Sequence, residues 1–420
     1  MLFAHARYAV RTSRSSGRLG APKALQALLA PLFQVAQVVA LTGVALGAAG
    51  CGSGGEVDAS TGEVGASGGG GATSGATGSG STGGSTESTG GSTESSGGST
   101  GSAPGAWCKP IPACNAPPPD PGAKGAWNHT IESPLILTAG SPNHRGRDLF
   151  LNPGDAQWII GKFAYGLIDK DLKDENVDVY LLRDCGDTWE KLGTAVTTAD
   201  DQHPTVEGVD DTGGRVYFKI PEDKKLGPGR HRVHLVVPGD LSSTDLFLEV
   251  VPPKTPVFVT DVDGTLTDNE TAEFGALFTG KLPGVHPDAA KLYDILVSKG
   301  YHPLYLTARP EWLVGRTREL LDTNKFPPGI VHTTLGLTGA TGDPAGAFKT
   351  TELAELGLKS IVPAYGFGNT ASDADAYENA HIPVDGRFFY QFVDTKHLGH
   401  EIMSYTELLT KLEALPSLCQ

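Results

Sequence analysis

The hydrophobic positions of this chain follow two different spacings. Between residues 127 and 252, short apolar or alternating runs are separated by connections rich in Gly, Pro and Asp. Such a pattern is typical of the strands of an antiparallel β-sandwich. From residue 253 to residue 420, strand-like apolar runs alternate with segments whose apolar residues recur at helical spacing. This alternation predicts an α/β domain with a mostly parallel sheet covered by helices.

The predicted elements of both regions can be bounded from the pattern. In the first region the strands are expected at 157–167, 177–182, 215–220, 231–237 and 246–251. In the second region the strands are expected at 257–259, 303–306, 361–367 and 388–392, and the helices at 287–298, 311–321, 349–356 and 372–379. No constellation of catalytic residue types stands out in the first region, which we interpret as a positioning module.

The amino-terminal part of the chain predicts export. Residues 1–23 carry basic side chains and no acid, and residues 24–50 are mostly Ala, Leu and Val, as in a signal peptide. Cys51 follows Ala-Gly and resembles the lipidated cysteine of a bacterial lipoprotein. We therefore expect an exported lipoprotein, anchored through Cys51 to a periplasm-facing membrane, with the outer membrane favoured because Gly52 follows. The alternative is an uncleaved transmembrane anchor.

Residues 51–106 are rich in Gly, Ser and Thr and have almost no apolar side chains, which predicts a flexible tether. Residues 107–126 form a Pro-rich lead-in that contains Cys108 and Cys114, which lie close enough to close a small disulfide loop. The pairing of Cys185 and of Cys419 stays open.

Charge narrows the range of partners. The 420 residues carry a formal net charge of −15, which argues against nucleic acid as a partner. It also argues against simple adsorption to an anionic membrane.

Two carboxylates directly follow a short apolar run of the second region. Asp261 and Asp263 come after the strand expected at 257–259, and Gly264 allows the backbone to turn close to a ligand. In open α/β sheets, ligands bind at the carboxyl ends of the strands. Two carboxylates this close require a cation or a phosphoryl group beside them.

Residues 255–265, TPVFVTDVDGT, resemble the first motif of the haloacid dehalogenase superfamily of phosphotransferases. Residues 304–310, 348–349 and 366–373 resemble the second, third and fourth motifs. The Gly-Tyr pair at 300–301 and the Ala-Tyr pair at 376–377 are similar to the lipin/LNS2 branch, whose lipin members are magnesium-dependent phosphatidate phosphatases.

The resemblance implies a role for each motif residue. Asp261 would be the nucleophile that forms an aspartyl-phosphate, and Asp263 the general acid/base. The phosphate group would be bound by Gly264, Thr307 and Lys349.

The resemblance also implies a Mg²⁺ ion, which prefers oxygen ligands. Its ligands would come from Asp261, from Asp263 through the backbone carbonyl, and from Asn369 and Asp373. Which of Asn369 and Asp373 contacts the metal stays open. Because lipins combine their catalytic domain with an immunoglobulin-like one, the sandwich is expected to be immunoglobulin-like. The short stretch 266–286 leaves room only for a minimal cap.

Three functions are consistent with the sequence. The first is hydrolysis of phosphatidate to diacylglycerol at a membrane. The second is phosphatidate binding without catalysis, as in the LNS2 domains of phosphatidylinositol transfer proteins, where the catalytic pair is incomplete. The third is hydrolysis of a soluble phosphate ester. Because Asp263 is present, the sequence favours the first function over the second.

Overall fold

A computed structural model of the protein describes residues 110–268, 281–393 and 395–418. The first domain begins with a short helix, α1 (Glu132–Ile136). Its strands are β1 (Arg145–Gly146), β2 (Leu149–Leu151), β3 (Trp158–Lys162), β4 (Ala164–Tyr165), β5 (Lys170–Asp171), β6 (Asn176–Leu182), β7 (Trp189–Val196), β8 (Arg215–Lys219), β9 (Gly229–Val236) and β10 (Ser243–Val250).

In the part of the chain that the structure describes, these strands form the two sheets of a β-sandwich. One sheet has the order β1-β3-β8 and the other β2-β10-β9-β6-β7, while β4 and β5 form a separate hairpin. Buried aliphatic side chains such as Ile159, Val179 and Leu235 fill the core between the sheets. The expected sandwich is confirmed, but it is not purely antiparallel, because β2 pairs with β10 in parallel.

The second domain is an α/β domain with a parallel sheet, as expected. Its strands are β11 (Pro256–Thr260), β12 (His302–Pro310), β13 (Ile330–Thr334), β14 (Val362–Gly368), β15 (Arg387–Tyr390) and β16 (His400–Ile402). Its helices are α2 (Ala289–Ser298), α3 (Val314–Thr323), α4 (Asp343–Leu358), α5 (Ala371–Asn379) and α6 (Thr406–Glu413). The strand order is β13-β12-β11-β14-β15-β16, so β11 lies in the middle of the sheet.

The residues of β11 alternate between two hydrophobic cores, as strand geometry requires. Phe258 packs with α2 and α6 on one face of the sheet. Val257 and Val259 pack with α4 and α5 on the other face. The strand is therefore buried on both faces, which explains its nearly continuous apolar sequence.

Several predictions fall on residues that the structure does not describe. The signal segment, Cys51, the tether, Cys108 and Cys419 lie outside the described residues, as does most of the stretch expected to form the minimal cap. The haloacid dehalogenase-like and immunoglobulin-like assignments stay predictions. Among the described residues, no helix combines the length and the apolar character that a membrane crossing needs.

The disulfide prediction is wrong for Cys114. Its sulfur is bonded to that of Cys185, with 4.5 Å between the two Cα atoms. The lead-in segment lies on the sandwich, because Arg232 donates hydrogen bonds to the carbonyl oxygens of Cys114 (3.0 Å) and Ala116 (2.8 Å). This packing places Cys114 beside Cys185, although 71 residues separate them in sequence.

We expect Cys185→Ser to lower the free energy of unfolding of the oxidised protein by about 4 kcal/mol, the chain-entropy estimate for a loop of this length. Urea unfolding with and without a reducing agent measures the effect. Reduction should remove the difference between Cys185→Ser and the unmodified chain. A difference that persists after reduction would show that Cys185 acts through packing and not through the disulfide.

Buried ion pairs join the two domains. Arg147, between β1 and β2, donates to both carboxylate oxygens of Glu352 on α4 at 2.6 Å. Glu352 also lies 2.5 Å from Nδ1 of His332 on β13. Further along the seam, Glu311 accepts hydrogen bonds from Arg145 (2.7 Å) and Arg215 (3.1 Å). All of these side chains are buried, so the sequence of each domain is adapted to the presence of the other.

The seam between the domains is closely packed. Two cavities of about 10 and 20 Å³ lie along it, one beside Arg145 and Arg215 and the other beside His332 and Glu352. A cavity of this size holds about one water molecule. These two cavities are therefore too small for an organic ligand.

Candidate functional site

The motif residues meet at the carboxyl edge of the parallel sheet. Strand β11 lies between β12 and β14, so the residues that follow these three strands are neighbours. Asp261 follows β11, Thr307 lies toward the carboxyl end of β12, and Asn369 follows β14. The backbone N–H of Asp261 donates to the carbonyl oxygen of Phe367 (2.9 Å), which holds the first and fourth motifs together.

Lys349 connects two of the carboxylates. Its Nζ lies on α4, 2.7 Å from Oδ1 of Asp261 and 2.5 Å from Oδ1 of Asp373. Asp261, Lys349 and Asp373 are at most 5% exposed. The ammonium thus neutralises a buried pair of carboxylates that would otherwise repel each other.

Burial determines the protonation of this cluster. Burial, together with the carboxylates of Asp373 and Asp263, raises the pKa of Asp261 from its ordinary value of 3.8 to about 7, although Lys349 acts in the opposite direction. Burial alone would lower the pKa of Lys349, but the carboxylates of Asp261 and Asp373 raise it above its usual range. Lys349 therefore stays charged.

Asp373 has a second role at the start of helix α5. Its Oδ2 accepts hydrogen bonds from the backbone N–H groups of Asn369 and Thr370, both at 3.1 Å, and from the Thr370 hydroxyl at 2.8 Å. The contact from the Thr370 N–H is one half of a capping box at the helix N-terminus, and the Asp373 N–H donates the other half to the Thr370 side chain. Both carboxylate oxygens of Asp373 are thus occupied by protein donors.

Asp263 is bound by a guanidinium. Arg309 donates from Nε to Oδ2 and from Nη2 to Oδ1 of Asp263, each at 2.8 Å, which is a bidentate pair. The Thr307 hydroxyl donates to Oδ2 of Asp263 at 3.2 Å. A role in proton transfer would require Asp263 to leave this pair. The presence of Asp263 in the sequence therefore does not by itself indicate catalysis.

Arg309 is the site residue that sequence reasoning missed. It is 4% exposed, and its Nη1 also donates to the Thr317 hydroxyl on α3 (3.1 Å). The sequence feature that indicates a role for Arg309 is its position, two residues after Thr307 in the same motif. A charged residue inside a buried strand end requires a partner of opposite charge.

The turn after β11 is stabilised by a left-handed glycine and by a hydrogen bond to the fourth motif. Gly264 has φ +73°, in the left-handed region that favours glycine. The Thr265 hydroxyl donates to Oδ1 of Asn369 at 2.9 Å, so Asn369 is oriented by the first motif. Gly264, Thr307 and Lys349, the predicted phosphate-binding residues, therefore lie around one carboxylate cluster.

The carboxylates predicted to bind magnesium accept hydrogen bonds from protein donors, whereas the predicted contributions of the Asp263 backbone carbonyl and of Asn369 stay predictions. Among the described residues, no three His, Cys, Asp or Glu side chains are placed to hold a metal ion. Both oxygens of Asp373 and both side-chain oxygens of Asp263 accept hydrogen bonds from protein donors. Oδ2 of Asp261, with a contact of 3.5 Å to the Thr265 hydroxyl, is the oxygen best placed to contact an ion. Magnesium stays a prediction, with Asp261, the backbone carbonyl of Asp263, and Asn369 or Asp373 as its predicted ligands.

Comparison with known families matches both domains in order. Residues 142–250 match a family model described as PITM 1-3, beta-sandwich domain. Residues 258–390 match a model described as PITM 1-3, LNS2 domain. The predicted LNS2 module is therefore confirmed, within the PITM 1-3 type.

Similar proteins come from animals. Protein retinal degeneration B of Drosophila melanogaster is 32% identical over 261 residues, which cover 60% of this chain and 18% of that protein. Membrane-associated phosphatidylinositol transfer protein 1 of Homo sapiens is 30% identical over 226 residues, 53% of this chain and 17% of that protein. Membrane-associated phosphatidylinositol transfer protein 3 of Mus musculus is 26% identical over 248 residues, which cover 59% of this chain and 23% of that protein. The chain thus spans about a fifth of the length of the relatives it matches.

These findings correct two predictions. The prediction of a phosphatase is wrong, because the human and mouse relatives are named as phosphatidylinositol transfer proteins and the matching domain models are theirs. The prediction of an exported bacterial lipoprotein is also wrong, because these relatives are animal proteins named as membrane-associated.

Of the predicted lipin/LNS2 resemblance, the comparisons thus support the LNS2 module. Residues 142–250 of this chain are similar to the β-sandwich domain of the PITM 1-3 family, and residues 258–390 are similar to its LNS2 domain.

Proposed function

We propose that this chain binds the headgroup of a membrane phospholipid at the carboxyl edge of its parallel sheet, with phosphatidate as the preferred lipid, and leaves the lipid intact. The observation that carries the proposal is the bidentate pair between Arg309 and Asp263. With both oxygens of Asp263 bound to a buried guanidinium, the site keeps the residues predicted to bind phosphate, but the residue predicted as general acid/base is held in an ion pair.

The charge balance of the site favours a phosphate that arrives with a cation. Three carboxylates (Asp261, Asp263 and Asp373) lie against two cations (Lys349 and Arg309). Once Asp261 is ionised, above its raised pKa, an anionic phosphate is repelled by the excess negative charge unless a divalent cation neutralises it. Mg²⁺ commonly binds through one or two carboxylates together with phosphate oxygens. Magnesium held between Asp261 and the lipid phosphate would supply this charge.

The burial of the site supports a terminal phosphate over a phosphodiester. Asp261 is 5% exposed and Thr307 is fully buried, so little space surrounds the groups that face the ligand. A phosphomonoester has one substituent, which can point outward to the bilayer. A phosphodiester carries a second substituent, which would have to fit inside the site.

Vesicle flotation tests the proposal. The full chain should float with phosphatidylcholine vesicles that contain phosphatidate, and much less with vesicles that contain equal amounts of phosphatidylserine or phosphatidylinositol. EDTA should weaken the association. Equal association with every anionic lipid would contradict a phosphate-specific site.

A single hydroxyl provides a sharper test. Thr307→Val should weaken phosphatidate binding at least tenfold. The Thr307 hydroxyl, which donates to Asp263 in the structure, would turn to the phosphate when the lipid binds, and a hydrogen bond to a charged group contributes about 1.5–3 kcal/mol. Thr334→Val is the matched control, since Thr334 is also buried at the end of a neighbouring strand but donates to the carbonyl oxygen of Arg309 (3.1 Å). If both variants bind as the unmodified chain does, Thr307 does not contact the phosphate.

A further inference from the structure

Two large aliphatic side chains are exposed at the tip of the hairpin between β4 and β5. Leu167 is 89% exposed and Ile168 is 67% exposed. The backbone beneath them is fixed, because Gly166 donates from its N–H to the carbonyl oxygen of Ser141 (2.9 Å) and has φ +71°. A Cβ at Gly166 would lie 2.0 Å from the carbonyl oxygen of Ala139. The tip is therefore a well-supported turn that presents apolar side chains to its surroundings.

The contacts between the domains show which way this hairpin faces. Asn152 donates to the carbonyl oxygen of Lys359 (2.9 Å), just before β14 begins, which is the amino edge of the parallel sheet. Asp148 accepts from the N–H of Val331 within β13 (3.1 Å). From residue 152 back to residue 148, the chain thus moves from the amino edge toward the carboxyl edge.

From residue 148 to the β4–β5 hairpin, contacts with the second domain lie still closer to the carboxyl edge of the sheet. Arg145 pairs with Glu311 (2.7 Å), the first residue after β12, at the carboxyl edge. Arg145 also binds Asp169 with both of its terminal nitrogens (2.6 and 2.7 Å). Asp169 directly follows Ile168. The hairpin tip therefore lies toward the carboxyl edge, the edge at which the phosphate-binding residues meet.

Other exposed aliphatic side chains occur at this edge. Leu337 (50% exposed) follows β13, Val393 (63%) follows β15 and Met403 (57%) follows β16. Trp312, half-buried after β12, donates from Nε1 to the carbonyl oxygen of Leu337 (2.8 Å). Tryptophan favours the interface between lipid and water. The carboxyl edge thus combines buried polar residues with an apolar margin.

We propose that the hairpin tip, Leu167 and Ile168, inserts into the lipid bilayer and holds the carboxyl edge of the sheet against the membrane surface. This inference rests on the proposed function, because it takes the ligand of the site to be a phospholipid. The occupant is a bilayer because the tip continues the edge at which the lipid phosphate would enter. Attraction by charge is a poor source of membrane contact for a chain with a net charge of −15, whereas insertion of apolar side chains does not depend on charge.

The test compares a membrane ligand with a soluble one. We expect Leu167→Ser/Ile168→Ser to lower the association of the full chain with phosphatidate-containing vesicles at least tenfold. Its affinity for dihexanoyl-phosphatidate below the micelle concentration, measured by titration calorimetry, should stay within twofold of the unmodified chain. Leu358→Ser is the matched control, because Leu358 is 79% exposed but lies at the end of α4, at the amino edge. It should change neither measurement.

Insertion can also be observed directly. Leu167→Trp should give a blue-shifted fluorescence increase over the unmodified chain when phosphatidate vesicles are added, and lipids brominated in the acyl chains should quench it. Leu358→Trp should give neither change.

The outcomes separate this inference from the proposed function. If the double variant associates with vesicles as the unmodified chain does, the tip does not insert, and a protein partner is the better explanation of its exposure. If the double variant loses the soluble ligand as well, the tip acts through the site, and insertion is again overturned. Should the unmodified chain bind neither soluble phosphatidate nor vesicles, the proposed function itself fails.

Discussion

Lys349→Met is expected to lower the free energy of unfolding by about 3–5 kcal/mol, the usual cost of leaving a buried charge without its partner. Lys349 is the cation between Asp261 and Asp373, and without it two buried carboxylates face each other. The same substitution should abolish binding of phosphatidate. Urea unfolding and titration with dihexanoyl-phosphatidate measure the two effects. Lys124→Met, at an exposed position, is the control and should change neither.

The stability that Lys349→Met loses should be greater at high pH than at low pH. Burial already raises the pKa of Asp261 to about 7, and removal of the Lys349 ammonium removes the interaction that lowers it. The folded state of Lys349→Met must therefore take up a proton at Asp261 that the unfolded state does not bind. This stabilisation is present below the ordinary carboxyl pKa of 3.8 and is lost as the pH rises through the raised value. The variant should be further destabilised at pH 8 than at pH 6.

A double variant separates stability from binding. Lys349→Met/Asp261→Asn should recover most of the lost stability, because one of the two carboxylates is then neutral. It should not recover binding of phosphatidate. Unchanged stability in Lys349→Met alone would mean that the ion pairs of the site contribute nothing to the fold, and the electrostatic account of the site would be wrong.

Arg147→Met is expected to destabilise the chain by about 3–5 kcal/mol, because it leaves Glu352 buried at the domain seam with only His332 beside it. The effect should reach both domains, since the seam is formed by side chains from each. Urea unfolding followed by near-ultraviolet circular dichroism measures it. Lys191→Met, which removes an exposed pair with Asp178, is the control and should change the free energy of unfolding by at most about 1 kcal/mol.

The free energy of unfolding at acid pH provides a second test of the ion pairs between the domains. Burial alone would raise the pKa of Glu352, but Arg147 and His332 lower it from 4.5 to about 2. A carboxyl group with a lowered pKa stabilises the folded state above pH 4.5, and this contribution is lost as the pH falls toward 2. Glu352→Gln should therefore flatten the stability profile between pH 4.5 and pH 2. An unchanged slope would show that this pair does not hold the domains together.

The position of the site could be predicted because it depends on local sequence and on sheet topology. Asp261 and Asn369 each follow a strand and Thr307 lies near the end of another, and parallel strands bring their carboxyl ends to one edge. Lys349 reaches the same site from a helix that the sequence pattern predicts at 349–356. These residues meet in the structure as the motif order predicts.

The pairings inside the site could not be predicted in the same way. Forty-six residues separate Asp263 from Arg309, and no local pattern shows that the two side chains form a bidentate pair. Without that contact, the presence of Asp263 pointed to catalysis. The composition of a motif predicts which groups are present, whereas their hydrogen-bond partners determine what chemistry remains open to them.

Contacts over long sequence separations account for the other differences. Strand β13 was not predicted because only Ile330 and Val331 are apolar. Its His332 is buried by hydrogen bonds to Glu352 of its own domain and to the carbonyl oxygen of Asp148 in the sandwich domain. The disulfide of Cys114 was predicted with the cysteine nearest in sequence, but the fold places Cys185 beside it. In each case the deciding partner lies far away along the chain.

Phosphorus-31 magnetic resonance of dihexanoyl-phosphatidate, recorded with the full chain in magnesium buffer, tests the central claim most directly, because it reports binding and hydrolysis in one sample. The account predicts that the phosphatidate resonance shifts or broadens as the protein is added and that no inorganic phosphate resonance grows with time. Lys349→Met should leave the phosphatidate resonance unperturbed. Growth of inorganic phosphate in the sample with the unmodified chain would contradict the account, as would a phosphatidate resonance that the unmodified chain does not change.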